Sequence, residues 1–169
     1  REVVSSKEKA QEVFTSSGTT GSITSKHFVT DINLYKESYL KGFSHFYGNI
    51  EEYAVLALLP NYLERNGSSL VFMVDDLIRK SKNPESGFYL NNIEELAKKL
   101  TELDKKGQKT LLIGVSFALL DLIEMQQFSL KNTIIMETGG MKGRRKELIR
   151  DELHQLLKTG FSVDKIHSE

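Results

Sequence analysis

The chain has 169 residues, and 23 Lys and Arg are balanced by 23 Asp and Glu, so the formal net charge is zero. That balance argues against a dedicated binder of nucleic acid or anionic membrane, because such proteins need a strongly basic face. Cysteine is absent, which excludes disulfides, thiolate metal sites and a thiol nucleophile within these residues.

The first predicted elements are two short β-prone stretches on either side of a small, polar, glycine-containing loop. Val13-Phe14 precedes the loop, residues 27–30 follow it, and the loop runs from Ser16 to about Ser25. Asp31 then has the chemistry of a helix N-cap. Apolar and aromatic residues recur after it at helical spacing until Gly48, which is typical of a helix C-terminus.

Strands and helices alternate in the rest of the chain. Residues 53–59 (YAVLALL) form a continuous apolar run, which favours a strand buried on both faces and leaves a buried helix as the alternative. The remaining predicted elements, in order, are a helix opened by residues 66–69, a loop at 83–87, a helix capped by Asn91 or Asn92 and closed by Gly107, a strand at 109–115, a helix at 117–127 capped by Ser116, a strand at 133–136, a helix at 146–158 ended by Gly160, and the start of a strand at 161–166.

This alternation predicts an α/β fold with a mostly parallel sheet and helices on both faces. Ligands of such sheets bind beyond the carboxyl ends of the strands. The loops Ser16–Gly21 and Thr138–Gly140 both follow predicted strands, so we expect them to line the same edge. The length predicts a single domain over residues 1–169. Because the first residue is not Met and the last residues read as the middle of an element, we expect this domain to be a piece of a longer polypeptide.

The first loop has the composition of a phosphate-binding segment. It reads Ser16-Ser17-Gly18-Thr19-Thr20-Gly21. The glycines permit positive φ and a close approach of backbone to an anion, successive N–H groups can form a nest for phosphate oxygens, and the hydroxyls add donors. Lys26 supplies a nearby cation. The alternative is an ordinary exposed turn, which uses the same residue types. Neither G-x-x-x-x-G-K-[ST] nor G-x-G-x-x-G is present.

Residues 14–21 (FTSSGTTG) resemble the signature loop of adenylate-forming enzymes, Thr/Ser-Ser-Gly-Thr-Thr-Gly-x-Pro-Lys. That superfamily includes acyl-CoA synthetases, the adenylation domains of peptide synthetases and phenylacetate-CoA ligases. The resemblance implies that the loop grips the β- and γ-phosphates of ATP. The sequence departs from the pattern, because no Pro follows Gly21 and no Lys stands three residues after it.

The doubled serine, the pair Lys26-His27 and Asp31 look more like the acyl-protein synthetase (LuxE-like) branch of that superfamily. Enzymes of this branch make an acyl-AMP from a fatty acid and ATP and then pass the acyl group to a protein cysteine. Residues 134–142 (IIMETGGMK) are similar to the strand and Gly-Gly turn that shape the adenine pocket, which implies that Gly139 and Gly140 bind the nucleotide. The alternative for residues 137–140 is an ordinary turn that ends a strand.

The rest of the family's machinery is not in these residues. The Tyr-Gly-x-Thr-Glu motif, which stacks on adenine and helps to hold Mg²⁺, would be expected just after Glu169. The ribose-binding Asp, the mobile C-terminal domain and the acceptor cysteine are also absent. The resemblance therefore implies a fragment of the N-terminal domain that is inactive alone.

Lys26 and His27 are the candidate catalytic residues. The resemblance implies that Lys26 contacts phosphate and that His27 orients the acyl carboxylate. The alternative is an exposed polar pair that begins a strand.

The sequence pattern favours structural roles for the other polar residues. We expect His45 to be packed or partly exposed, and His154 and His167 lack partners at metal-binding spacing, so no metal site is predicted. The acidic pairs Asp75-Asp76 and Glu94-Glu95 are typical of solvated helix faces. The basic run at 142–146 (KGRRK) is typical of a solvated helix start, with a position near nucleotide phosphate or a carrier protein as the alternative.

The predicted function is ATP-dependent activation of a carboxylic acid to acyl-AMP, with Mg²⁺, followed by transfer to a protein thiol, and the resemblance implies a fatty acid as that substrate. The alternatives are a phenylacetate-CoA-ligase-like acyl-CoA synthetase and a non-catalytic α/β binding module. No nucleic-acid partner is expected. No membrane span is expected either, because no apolar run approaches roughly 20 residues, and no signal peptide is visible. We therefore expect a cytoplasmic protein.

Overall fold

The computed structural model describes residues 2–4, 9–15, 25–60, 67–139, 141, 145 and 148–169. The chain divides into two compact units, Arg1–Ile50 with Tyr62–Leu77, and Glu51–Asn61 with Ile78–Glu169. The single domain over residues 1–169 stays a prediction.

The first unit contains a small three-stranded sheet. Its strands are β1 (Glu2–Val4), β2 (Glu12–Thr15) and β3 (Lys26–Val29), in the order β1-β3-β2. β1 runs parallel to β3, whereas β2 runs antiparallel to it. Residues 16–25 therefore connect two antiparallel neighbours.

The helices of the first unit are packed through aromatic rings. Helix α1 (Ile32–Tyr47) begins where Asp31 accepts hydrogen bonds from the amides of Asn33 and Leu34, and it ends at Gly48, whose φ is +87°. The predicted cap and end are thus confirmed. The Phe14 ring lies 5.3 Å from that of Tyr35 on α1 and 5.5 Å from that of Phe72, measured between centroids. Phe72 belongs to helix α2 (Ser69–Ser81).

The second unit is built on a five-stranded sheet in which every neighbouring pair is parallel. This confirms the predicted α/β class, with helices flanking the sheet. The strand order is β5-β4-β6-β7-β8. The elements are a 3₁₀ turn (Ile50–Glu52), β4 (Ala54–Leu58), β5 (Gly87–Tyr89), α3 (Ile93–Lys105), β6 (Thr110–Val115), α4 (Ser116–Met125), β7 (Thr133–Thr138), α5 (Arg150–Phe161) and β8 (Ile166–Ser168).

The core of this unit is the pair of central strands. Every residue of β4 and of β6 is buried, which is the pattern that a parallel sheet covered on both faces requires. The chain leaves β4 towards β5 on one side, but it leaves β6 towards β7 on the other side. The strand order therefore reverses between β4 and β6, and this reversal defines the crevice where open α/β sheets bind ligands.

The structure corrects four predicted details. Ser116 is the first residue of α4 and does not cap it through its side chain. Helix α5 begins at Arg150 and continues past Gly160 to Phe161, so the following strand begins only at Ile166. A short strand, β5, starts at the end of the predicted loop at 83–87. The two β-prone stretches around the first loop lie in the small sheet, so the expectation that this loop follows a strand of the parallel sheet is wrong.

Within the described ranges, no helix combines the length and the apolar character needed to cross a bilayer.

Candidate functional site

The predicted phosphate loop, Ser16-Ser17-Gly18-Thr19-Thr20-Gly21, lies outside the described residues. Its base is described, because β2 ends at Thr15 and β3 begins at Lys26, and these two residues face each other across the antiparallel pair. The backbone N–H of Thr15 also donates to the carbonyl of Gly67 at 2.8 Å. The loop therefore starts from a strand end that is fixed on both sides.

Gly67 is required at this contact. Its φ is +85°, and a Cβ added there would lie 3.1 Å from Thr15 Oγ1 and 3.2 Å from the carbonyl oxygen of Val13. A side chain would thus be strained by the backbone conformation and crowded by β2. Since α2 begins at Ser69, the close approach places the base of the loop beside the N-terminus of that helix.

The N-terminus of α2 is suited to an anion. The hydroxyl of Ser68 accepts a hydrogen bond from the amide of Val71 at 3.3 Å, and the first turn carries no acidic side chain. The partial positive charge of a helix N-terminus attracts phosphate groups. The Tyr35 hydroxyl donates to the Ser69 carbonyl at 3.1 Å and ties α1 to the same turn.

Lys26 and His27 are exposed side chains on β3. They stand opposite Thr15 and Phe14 in the hairpin register, and His27 Nε2 lies 3.5 Å from Ser25 Oγ. The structure thus places both residues at the base of the loop, as an exposed pair at the start of a strand. Their contacts with phosphate and carboxylate stay predictions.

A second group of polar side chains lies at the carboxyl ends of β6, β7 and β8 in the second unit. We call it the strand-end cluster, and its members are Ser116, Glu137, Thr138, His154, Ser168 and Glu169. Glu137 is its centre and is only 7% exposed. Its Oε2 accepts from the Ser116 hydroxyl at 3.2 Å, and its Oε1 accepts from the Ser168 hydroxyl at 2.7 Å.

Helix α5 supplies two nitrogen-bearing side chains to the same carboxylate. His154 Nε2 lies 3.5 Å from Glu137 Oε1, and Arg150 Nη2 lies 3.8 Å from that oxygen. Arg150 is 66% exposed, so solvent screens its attraction and it contributes little. The hydroxyls of Ser116 and Ser168 are therefore the closest partners of this buried carboxylate.

Gly139 follows β7 with a φ of +71° and is exposed. Its carbonyl oxygen lies 3.0 Å from the Ser116 hydroxyl. Because a hydroxyl has one proton, Ser116 shares it between Gly139 and Glu137. The predicted partner of Gly139, Gly140, lies outside the described residues.

The cluster also fixes the end of β8. The N–H of Glu169 donates to the carbonyl of Glu137 at 3.1 Å, and the Thr138 hydroxyl donates to Glu169 Oε2 at 2.9 Å. The carboxyl ends of three neighbouring strands are thus joined by side-chain hydrogen bonds in addition to the backbone ladder.

Sequence reasoning missed Glu137, Ser116 and His154 as a group. One signal was present, because Glu137 is the single charged residue in the otherwise apolar or hydroxyl-bearing strand TIIMET. A carboxylate at such a position is buried only when hydrogen-bonding partners are available. Those partners come from residues 21 and 31 positions away, and the sequence pattern does not reveal which residues they are.

Other charged residues have structural partners. Arg145, from the basic run at 142–146, pairs with both Asp121 and Glu124 on α4. These contacts raise the pKa of Arg145 and lower that of Glu124. The remaining members of the run lie outside the described residues. Arg145 is therefore held by two carboxylates.

The acidic pairs differ from each other. Glu94 and Glu95 are exposed, as predicted. Asp76 is not on a solvated face, because it is 9% exposed and accepts a hydrogen bond of 2.6 Å from the Tyr39 hydroxyl. The prediction for Asp76 is wrong, since α2 turns it towards α1.

Among the residues that the structure describes, no group of three or more His, Asp or Glu side chains could hold a metal ion. Comparison with known proteins finds no matching family model, no matching curated protein and no matching solved structure.

Proposed function

We propose that this chain is part of an enzyme that uses ATP to activate a carboxylic acid as an acyl-adenylate. One observation carries the proposal: the Ser-, Thr- and Gly-rich segment Ser16–Gly21 joins two antiparallel strands whose base is hydrogen-bonded to the turn that leads into α2. Backbone donors, hydroxyls and a helix N-terminus are the groups that bind phosphate oxygens. The resemblance of residues 14–21 to the adenylate-forming signature supports the same assignment.

The strand-end cluster supports a nucleotide as the ligand of the second unit. It lies at the carboxyl edge of an all-parallel sheet, where such sheets bind ligands, and its member Ser116 follows β6, one of the two strands between which the strand order reverses. The bare backbone of Gly139, with its positive φ, is compatible with a close approach to an adenine ring.

In the proposed reaction, a carboxylate oxygen attacks the α-phosphorus of ATP. The bond from that phosphorus to the bridging oxygen breaks, and pyrophosphate leaves. The protein aligns the two anions and offsets the charge on the phosphates, with Lys26 as the cation at the base of the loop and Mg²⁺ as the counter-ion. A thiol then attacks the acyl carbon and releases AMP. These 169 residues contain no cysteine, so we propose that the thiol comes from outside them: from another part of a longer polypeptide, from another protein or from coenzyme A.

The test is ATP–pyrophosphate exchange by the complete protein with fatty acids of varied length. Thr19→Val removes one hydroxyl and Gly18→Val blocks close approach of the backbone. Each should lower the exchange rate about 100-fold, because loss of one such donor costs about 3 kcal/mol in the transition state. Thr159→Val on α5 is the matched control, since the hydroxyl of exposed Thr159 donates to the nearby Gln155 carbonyl.

Unchanged exchange in Thr19→Val and Gly18→Val would exclude the loop as the phosphate site. Absence of exchange in the wild type with every acid would exclude adenylate formation, and calorimetry with Mg-ATP would then show whether the protein binds nucleotide at all. Acyl transfer to a protein thiol, measured against transfer to coenzyme A, distinguishes the two acceptors.

A further inference from the structure

We infer that Glu137 is a positioning residue for the nucleotide edge of this enzyme. Its buried carboxylate holds the Gly139 turn and the carboxyl ends of three strands in one arrangement, without touching the nucleotide. The inference deepens the proposed function and rests on it.

Glu137 joins four elements at one point. The carboxylate stands on β7, accepts from Ser116 at the start of α4 and from Ser168 on β8, and lies 3.5 Å from His154 on α5. Its own backbone carbonyl also accepts from the amide of Glu169. A displacement of any one of these elements would therefore lengthen a hydrogen bond to the same residue.

A role in stability alone does not account for a carboxylate here. Burying a charge costs free energy, and a well-packed apolar side chain at such a position is often as stable or more stable. What a carboxylate adds is direction, because its two oxygens accept from Ser116, which directly follows β6, and from Ser168 on β8, and so fix the ends of these strands relative to β7. Its 7% exposure argues against direct contact with a ligand.

The link to the turn passes through Ser116. This hydroxyl lies 3.2 Å from Glu137 Oε2 and 3.0 Å from the Gly139 carbonyl, and its single proton is shared between them. If the charge at position 137 is removed, the proton turns towards Gly139 and residue 137 loses its link, through Ser116, to the turn. The conformation of the turn therefore depends on the Glu137 carboxylate through the Ser116 hydroxyl.

The experiment compares Glu137→Gln with the wild type of the complete protein in ATP–pyrophosphate exchange. Gln keeps the size of the side chain and removes its charge. We expect the KM for ATP to rise about tenfold, since a hydrogen bond to a charged group is worth roughly that factor or more. The KM for pyrophosphate should stay unchanged, because pyrophosphate lacks the adenine that the Gly139 turn is proposed to approach, and kcat should stay within about threefold. The matched control is Glu152→Gln, an exposed carboxylate on the same helix as His154.

Ser116→Ala is an independent test of the positioning role, and it replaces Glu137→Gln if that variant does not fold. It should also raise the KM for ATP, and the double variant should be no worse than the more affected single variant, because both changes interrupt one link. An unchanged KM for ATP in either folded variant would overturn the inference. So would a KM that rises equally for ATP and pyrophosphate together with a fall in Tm, since that result indicates a role in stability alone. If the wild type shows no exchange, the proposed function itself fails and this inference falls with it, which separates the two failures.

Discussion

Replacing Gly160 with Ala should destabilise the protein, although Ala is the better helix former. Gly160 lies inside α5, where an added Cβ would stand 2.5 Å from Cβ of Ile123, 2.6 Å from its Cγ2 and 2.7 Å from its Cδ1. A helical Gly→Ala change normally gains about 1 kcal/mol. Overpacking a core costs about 1–3 kcal/mol.

The upper end of that cost applies here. The closest atom, Cβ of Ile123, is attached directly to the backbone of α4, so no rotamer change moves it away. The Gly160 carbonyl also accepts from the Phe128 amide at 2.9 Å, which limits a shift of α5. We therefore expect a net loss of about 2 kcal/mol in the free energy of unfolding, or about 4–8 °C in Tm.

Urea and thermal unfolding followed by circular dichroism measure this change. Gly42→Ala on α1 is the helix-matched control, and Gly87→Ala is the control within the same unit, because an added Cβ meets nothing within 4 Å at either position. Both controls should be neutral or stabilising by up to about 1 kcal/mol. A neutral or stabilised Gly160→Ala protein would refute the packing argument.

Three further predictions concern buried or half-buried polar groups. Asp104→Ala should lower the free energy of unfolding by about 3 kcal/mol. This carboxylate accepts from two backbone amides in the turn before β7 and from the hydroxyl of Thr133 at the start of that strand. Asp104→Asn should cost less. Tyr39→Phe should cost about 2 kcal/mol, since it leaves the buried Asp76 without a charge-assisted hydrogen bond. Burial, and then the charge of Lys165, lower the pKa of His167 below its ordinary 6.5. The unfolded chain thus binds this proton more tightly, and stability should fall as pH drops below 6.5, an effect that His167→Gln removes.

Each of these predictions has its own control in chemical denaturation experiments. Exposed Asp164 should tolerate Ala with little change, and an equal effect at both aspartates would contradict the account of Asp104. Tyr35→Phe removes a hydrogen bond to a neutral carbonyl, so a loss as large as that of Tyr39→Phe would argue against the role of charge. For His167, a constant difference between variant and wild type from about pH 8 to about pH 5 would contradict the linkage.

The sequence predicted the parallel sheet because its central strands are continuous apolar runs. Residues 53–59 and 109–115 have no polar alternation, and such short apolar runs favour a strand covered on both faces over a buried helix. β5 was missed because its three residues, GFY, are too few to show a period. Gly160 predicts the end of α5 wrongly, because glycine at this position is needed for close packing against Ile123 and does not end the helix.

The N-cap at Asp31 was predictable because local chemistry determines it. The phosphate-binding role of residues 16–21 stays a prediction. The cluster around Glu137 was not predictable, because its partners, Ser116 at the start of α4 and Ser168 on β8, come close to β7 only after folding. The predicted cap at Ser116 is wrong for the same reason. Its hydroxyl donates to Glu137 on β7 and to the Gly139 carbonyl, and these long-range partners are not visible in the sequence.

The pairing of β4 with β6 has a consequence for how the protein is made. The partners are far apart along the chain, Ala54 with Thr110 and Leu58 with Gly114, and a β5 strand and two helices lie between them. Pairing of this kind forms slowly, because a long segment must be ordered before the contact is gained. During biosynthesis the run YAVLALL emerges long before its partner and is an aggregation-prone segment in the meantime. We therefore expect the refolding yield to fall steeply as protein concentration rises, and a chaperone that shields extended apolar segments to restore it.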